Sequence, residues 1–222
     1  MHPDQILADQ YSKKPDIYYS TLRPEIFVFV PQNVKRALDV GCSSGGFAAT
    51  VKKERGAEVW GVETHHASAE TARNVLDKVI EEPFAPGMDL PEKYFDCISF
   101  NDVLEHLLDP EQALIYAATL LAPEGVIIAS IPNIRYLPAF KDFVFRGNWE
   151  YEDMGVMDRT HMRFFTKKSI PLMFTRCGLK VETLQGINGL TTRKLNLLNR
   201  LTKNRFEDVK YQQYAVVARK EK

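Results

Sequence analysis

Four groups of residues in this chain have the types and spacing to do chemistry. The first is Asp39-x-Gly41-Cys42-Ser43-x-Gly45. There an acid precedes small residues that let backbone approach a ligand and leave N–H groups facing it. The second is Glu63, a carboxylate about 20 residues beyond that loop, placed to accept hydrogen bonds from both hydroxyls of a ribose. The third is Asn101-Asp102, with His106 close behind. The fourth runs from Tyr151 to Phe165 and holds Asp153, Asp158, Arg159, Thr160, His161 and Arg163. Histidine is the usual general base near neutral pH, so His161 and His106 are the candidate acid–base groups, with Asp158 a candidate orienter of His161. Each has a plain alternative: Glu63 as a surface acid, Asn101 and Asp102 as strand-end polar residues, His106 as a helix-start packing residue.

These groups need elements to hold them. Arg36 to Val40 reads as a strand that breaks at Gly41, and a helix follows from Phe47 to Arg55, stopped by Gly56. Ala57 to Glu63 is the next strand. Ala67 to Val79 carries Ala69, Ala72, Leu76 and Val79 at helical spacing, and Val79-Ile80 could be a short third strand. Glu82 and Phe84 flank Pro83 where a turn against an adenine ring is expected, but Pro83 has no N–H to give. Tyr94 to Asp102 and Val126 to Asn133 read as buried strands, with a helix bearing Leu114, Ala117 and Leu121 between them. Ile134 to Arg146 reads as a helix and Thr166 as the N-cap of another. Leu179 to Leu184 and Gln213 to Arg219 form the expected final antiparallel pair. A basic face on Leu190 to Lys203 (Arg193, Lys194, Arg200, Lys203) reads as solvated surface. Before the first strand, an amphipathic leader closes at Pro31, and its Tyr18, Tyr19 and Arg23 are candidates to cover a substrate pocket.

The chain has 222 residues, 45% hydrophobic and 26% charged, with zero formal net charge. That is ordinary for a globular domain and gives no global field toward nucleic acid. No apolar run is long enough to span a bilayer and the polar start is not a signal peptide, so a cytoplasmic location is expected. The three cysteines are far apart and suggest neither a disulfide framework nor a zinc site.

The glycine loop alone is ambiguous. As a dinucleotide fingerprint it reads Gly41-x-Ser43-x-x-Gly46, without the middle glycine that a pyrophosphate requires. As Asp39-x-Gly41-x-Ser43-x-Gly45 it resembles motif I of the class I S-adenosylmethionine (SAM) methyltransferases. The run Phe95-Asp96-Cys97-Ile98-Ser99-Phe100-Asn101-Asp102-Val103-Leu104-Glu105-His106-Leu107-Leu108-Asp109-Pro110 resembles the fourth-strand region of the small-molecule members of that family. Leu121-Ala122-Pro123-Glu124-Gly125, followed by a strand closing in Ile131-Pro132-Asn133, is similar too. The resemblance extends from about Tyr18 to the C-terminus.

It implies an α/β fold: a doubly wound, Rossmann-like, seven-stranded sheet, mostly parallel with an antiparallel final strand. One domain over residues 1–222 is expected, with 1–33 a helical leader and 147–165 and 187–210 candidate substrate or lid segments. The family's cofactor would be held by Asp39, Gly41, Cys42, Ser43, Gly45, Glu63, Thr64, Glu82, Asn101 and Asp102, with S-adenosyl-L-homocysteine (SAH) as product and no metal. The acceptor is expected to be a small molecule. Tyr19, Arg23, Asn133, Trp149, Arg159 and Arg163 are its candidate contacts, and His161, His106 and Asp158 the candidate catalytic groups. Trp149 or Tyr151 could stack on a sugar, and the two arginines suit a phosphate or carboxylate. The block from Ser130 to Thr166 is similar to a bacterial branch associated with surface-polysaccharide synthesis, which points to O-methylation of a sugar or sugar-linked intermediate. The alternatives are a quinone-like or acyl-carrier-linked acceptor, or a non-catalytic SAM/SAH-binding protein. A homodimer is the candidate assembly, with no nucleic acid partner and no membrane span.

Overall fold

The computed structural model describes residues 22–190, 195 and 199–221. Tyr18, Tyr19, most of the leader, and Arg193 and Lys194 of the basic face lie outside the described residues. Seven strands form one sheet in the order β3-β2-β1-β4-β5-β7-β6. They are β1 (Arg36–Val40), β2 (Glu58–Val62), β3 (Lys78–Ile80), β4 (Phe95–Asn101), β5 (Leu121–Pro132), β6 (Leu179–Gly189) and β7 (Tyr211–Lys220). The first five run parallel, and β7 lies antiparallel to both β5 and β6. This is the doubly wound sheet that the sequence implies.

Side-chain alternation decides the layers. Leu38, Val40, Ile98, Phe100, Ile127 and Ala129 face one side and join Leu114, Leu120, Ile170 and Phe174 in one core. Ala37, Cys97, Val126 and Ile128 face the other side and join Phe47, Ala48 and Val51. Runs apolar on both faces are what a parallel sheet covered by helices requires. The helices are α1 (Pro24–Phe27), α2 (Gly46–Arg55), α3 (His66–Ala72), α4 (Pro110–Leu120), α5 (Leu137–Arg146) and α6 (Ser169–Arg176). In the leader, Ile26 and Val30 lie on the inner face and are buried, while Val28 points out. Among the described residues, no helix is long and apolar enough to cross a membrane.

Strand β5 already begins at Leu121, β6 runs on to Gly189, and three helix starts or ends shift for local reasons. Helix α3 ends at Ala72 rather than Val79, because Asp77 turns back to accept the Val59 N–H at 2.8 Å and Val79 is taken by β3. Helix α5 starts at Leu137 rather than Ile134, since Ile134 N–H is spent on the Phe165 carbonyl at 2.9 Å. Helix α6 starts at Ser169, yet Thr166 still serves it: its Oγ1 accepts the Ser169 N–H at 3.2 Å.

From β1 the strand order runs one way through β2 and β3 and the other way through β4 and β5. The crevice past the C-terminal ends of β1 and β4 is the switch point, where open α/β sheets bind ligands. Asp39 and Asn101 stand at those two ends.

Candidate functional site

The β1–α2 loop builds the first half of the site. Gly41 N–H and Cys42 N–H both donate to the Val62 carbonyl, at 2.8 and 3.1 Å, which folds the loop across β2. Gly41 has φ +69°, and a Cβ there would stand 2.6 Å from Val103 Cγ2. Gly45 (φ +83°) would set its Cβ 2.9 Å from Val75 Cγ2. Only glycine meets both demands, left-handed backbone and no side chain.

Glu63 ends β2 directly across from the loop. One of its carboxylate oxygens accepts the Ser43 N–H at 2.8 Å and the other the His65 N–H at 2.7 Å. Each oxygen keeps further acceptor capacity, so a ribose could be met without breaking these bonds. Asp39 is buried beneath and accepts from Ser99 Oγ at 2.7 Å and Asn101 Nδ2 at 3.4 Å. Burial, reinforced by the Glu63 charge, pushes its carboxyl up to about 7. Asn101 Oδ1 is buried with no hydrogen-bond partner in the protein. An orphaned acceptor beside a buried acid and a Cβ-free loop fits a ligand carrying an ammonium group. Thr64 and Glu82 are exposed at the rim. Phe84 packs on Phe100 and Tyr116, closing the wall below Glu82.

Asp102 links this cradle to the second half. Its backbone is left-handed at φ +55°, an uncommon state for a non-glycine residue and one that clusters at functional sites. Ser130 Oγ and Gln213 Nε2 both donate to Asp102 Oδ1 at 2.8 Å, and the Arg23 guanidinium pairs with the other oxygen. The expected Arg23 therefore does reach the site, at the floor of the crevice and clamped to Asp102.

The turn after β4, Leu104–His106, is zipped to the 152–165 loop. The Glu105 carbonyl accepts the Met162 and Arg163 N–H groups at 2.8 and 3.0 Å, and Arg163 itself donates to the Leu108 carbonyl. This joins residues more than 50 positions apart. His106 and His161 meet edge to face with ring centroids 4.7 Å apart. The His106 Nδ1 faces the Thr160 carbonyl at 3.1 Å and the His161 Nδ1 faces the Val156 carbonyl at 3.1 Å. Asp158 Oδ1 accepts from both the N–H and the Oγ of Thr160, at 2.8 and 2.6 Å, which shapes the loop. The ring of His161 is held by the Val156 carbonyl, and Asp158 lines the same cavity as that ring.

One residue absent from the sequence list belongs here. Glu105 is only 1% exposed, and neither carboxylate oxygen has a hydrogen-bond partner. His161 Nε2 lies 3.9 Å from Glu105 Oε1. Burial, with Asp102 nearby, pushes the Glu105 carboxyl well above its ordinary range. A lone acid inside the apolar run Val103-Leu104-Glu105-His106-Leu107 was the available signal. Asp102, Glu105, His106, Asp158 and His161 all line one small cavity of about 60 Å³.

The remaining acceptor candidates divide. Asn133 is fully buried, its amide donating to the Asp208 and Tyr211 carbonyls at 2.9 Å each and its Oδ1 accepting the Arg135 N–H. It ties β5 to the segment before β7 and does not face the crevice, which corrects its expected place. Arg159 is paired with Asp153 at 3.0 Å, and Arg163 is held on Leu108. Trp149 packs between Phe143 and Phe164, and Phe164 in turn meets the His161 ring at 6.3 Å. Tyr19 lies outside the described residues.

Residues 18–184 match the family model described as a methyltransferase domain. Among curated proteins, the ubiquinone biosynthesis O-methyltransferase of Alkalilimnicola ehrlichii is 35% identical over 105 residues, 45% of this chain and 42% of that protein. The enzyme of the same description from Aeromonas salmonicida is 27% identical over 161 residues, 69% of this chain and 66% of its own length. The matched stretch thus spans from under half to about two thirds of the relatives. Among solved structures, the 1,6-didemethyltoxoflavin-N1-methyltransferase of Burkholderia thailandensis, with its substrate and SAH bound, superposes with a TM-score of 0.65 at 15% identity, covering 100% of this chain and 92% of that one. The chain belongs to the methyltransferase domain family, whose cofactor is SAM.

Proposed function

We propose that this chain transfers a methyl group from SAM to a hydroxyl of a small molecule. The observation that carries the reading is the juxtaposition of a ligand cradle (Asp39, Gly41, Glu63, Asn101) with a buried Glu105–His106–His161 cluster, joined through Asp102. SAM, when bound, supplies a methyl group already activated on a sulfonium. The protein's own residues then have three tasks. The β1–α2 loop and Glu63 hold the cofactor, with Asp39 and Asn101 toward its ammonium. The 104–106 turn and the 155–161 loop hold the acceptor oxygen in line and keep water out. The histidine cluster accepts the hydroxyl proton.

The finer question is the acceptor. The aromatic chain Phe143–Trp149–Phe164 leads from the surface to His161, and Phe143, Phe145, Trp149 and Tyr151 are exposed beside it. Arg159 and Arg163 are already engaged by the protein. An apolar wall without an available cationic pair favours a quinone-like, phenolic acceptor, in keeping with the names of the curated relatives. A sugar-linked acceptor is the second reading, supported by the stacking faces of Trp149 and Tyr151. Radiolabelled methyl transfer from SAM, assayed against catechol-type phenols and nucleotide sugars in parallel, tests both. Label in the phenols supports the first reading and label in the sugars the second. Label in neither class, with SAH still bound, would count against both.

A further inference from the structure

We propose that Gln213, near the start of the last strand β7, is a positioning residue for the bound cofactor: it fixes the Asp102 carboxylate at the junction between the cradle and the histidine cluster. The inference rests on the cradle holding SAM and is independent of the acceptor's identity.

Five segments converge on this junction. Asp102 follows β4, Ser130 stands in β5, Gln213 in β7, Asn188 in β6 and Arg23 in the leader. Gln213 Nε2 donates to Asp102 Oδ1 at 2.8 Å. Its Oε1 accepts from Asn188 Nδ2 at 2.9 Å and from Arg23 Nη2 at 3.4 Å. The polarity of the amide is forced. A carboxylate only accepts and a guanidinium only donates, so the nitrogen must face Asp102 and the oxygen Arg23.

Asp102 needs this support. Its backbone is left-handed at φ +55°, and so is that of its ion-pair partner Arg23 at φ +49°. Such residues persist only where the surrounding structure over-determines them. Ser130 supplies one half of the hold: its Oγ accepts the Asp102 N–H at 3.0 Å and donates back to Oδ1 at 2.8 Å. Gln213 and Arg23 supply the other, one on each carboxylate oxygen. The turn divides neighbouring side chains between the two halves of the site. Asn101 reaches Asp39 in the cradle, while Asp102 lines the cavity of His106 and His161. The Arg23 charge is felt on both sides, opposing the upward push of burial at Asp39 and at Glu105.

Gln213 is itself held rigidly. Asn133 N–H donates to the Gln212 carbonyl at 2.9 Å, and Asn133 Nδ2 to the Tyr211 carbonyl at 2.9 Å. The Tyr211 ring lies over two glycines of β6; a Cβ at Gly186 would collide with it, and one at Gly189 would stand 3.2 Å from it. A polar group locked onto a strand in this way places its partner precisely.

The test is calorimetric titration of the full chain with SAH, for the wild type, Gln213→Leu, Gln213→Glu, Asp102→Asn and the double variant Asp102→Asn/Gln213→Leu. Gln213→Leu should weaken SAH binding about five- to tenfold at every pH. Added to Asp102→Asn, it should weaken binding less than about twofold further, because a residue that acts through Asp102 then has nothing left to position. Gln213→Glu gives a readout that a merely structural role would not move. Protonated, the new carboxyl can still donate to Asp102; ionised, it repels it. Its SAH dissociation constant relative to wild type should lie near one at about pH 5.5 and rise at least about tenfold by about pH 8.5, while the Gln213→Leu ratio stays flat. Glu105, His106, Asp158 and His161 share the cavity, Arg23 faces the amide and Glu25 pairs with Arg23. Taking the ratio at each pH removes what these groups and Asp39 contribute in common. Normal affinity in Gln213→Leu, full additivity with Asp102→Asn, or a flat ratio for Gln213→Glu would each overturn the proposal and leave the cradle standing. A wild-type chain that binds no SAH would strike the cradle reading, and this inference with it.

Discussion

The two halves of the site solve opposite problems. In the cradle the carboxylates are matched: both Glu63 oxygens accept backbone N–H groups, and Asp39 accepts from Ser99 and Asn101, with the Asn101 Oδ1 alone of these left to a ligand. In the histidine cluster a buried carboxylate stands without a hydrogen bond while two rings are fixed around it. A matched site is ready to receive a ligand by adding bonds to those it has. An unmatched one holds a polar demand that a substrate, proton or ion must meet, at a standing cost to stability. On the proposed function, this contrast gives affinity for the cofactor to the first half and chemistry to the second.

The sharpest way to break that contrast is Gly41→Asp. The new side chain would meet Val103 in a left-handed backbone and set a charge against the ligand's carboxylate. SAH affinity should fall at least about a hundredfold by calorimetry; normal affinity would remove the loop from the cradle. His161→Ala should do the reverse, lowering the rate of methyl transfer by about 10²-fold or more with SAH affinity unchanged. Equal loss of both would make His161 structural.

Glu63→Ala deletes the acceptor of two loop N–H groups as well as a ribose contact. SAH binding should weaken by roughly 10- to 100-fold, with little change in turnover at saturating SAM. Asn133→Ala belongs to neither half. It should cost about 2 kcal/mol of unfolding free energy by leaving the Asp208 and Tyr211 carbonyls unpaired, with SAH affinity retained.

A subtler test uses pH. Asp39 is raised to about 7 in the folded chain, from an ordinary value of 3.8. The folded state therefore holds a proton more tightly than the unfolded one. This group's contribution to stability is fully present below about pH 4 and is lost as pH rises toward 7. Asp39→Asn should flatten that part of the stability profile in chemical denaturation. The ammonium of SAH favours the ionised acid, so affinity for it should rise between pH 6 and 8 in the wild type and lose that rise in the variant. A stability profile unchanged by the substitution would show that Asp39 does not titrate there.

The same contrast explains what could be read from the sequence. Apart from Asn101 the cradle is local: strand, loop, helix and the next strand's terminal acid follow within about 25 residues, and each residue type announces its backbone role. The sheet was legible for a similar reason, since alternation and β-branched runs mark its buried strands. The cluster is assembled from two segments more than 50 residues apart, which the backbone zipper from Glu105 to Met162 and Arg163 and the His106–Thr160 and Arg163–Leu108 contacts bring together. Glu105 therefore read as one acid in an apolar turn. Asn133 read as a strand-end functional residue, because nothing in the sequence shows that Asp208 and Tyr211 arrive to claim its amide. Asp158 stands out beside His161 by adjacency, but its bonds to Thr160, which shape the loop, show only in the fold.

The most direct test of the central claim is calorimetric titration of the purified chain with SAH, with NAD as the control ligand. The account predicts one SAH bound per chain with micromolar affinity and no response to NAD. Binding of NAD, or silence toward both, would contradict the cradle assignment and with it the methyl-transfer reading.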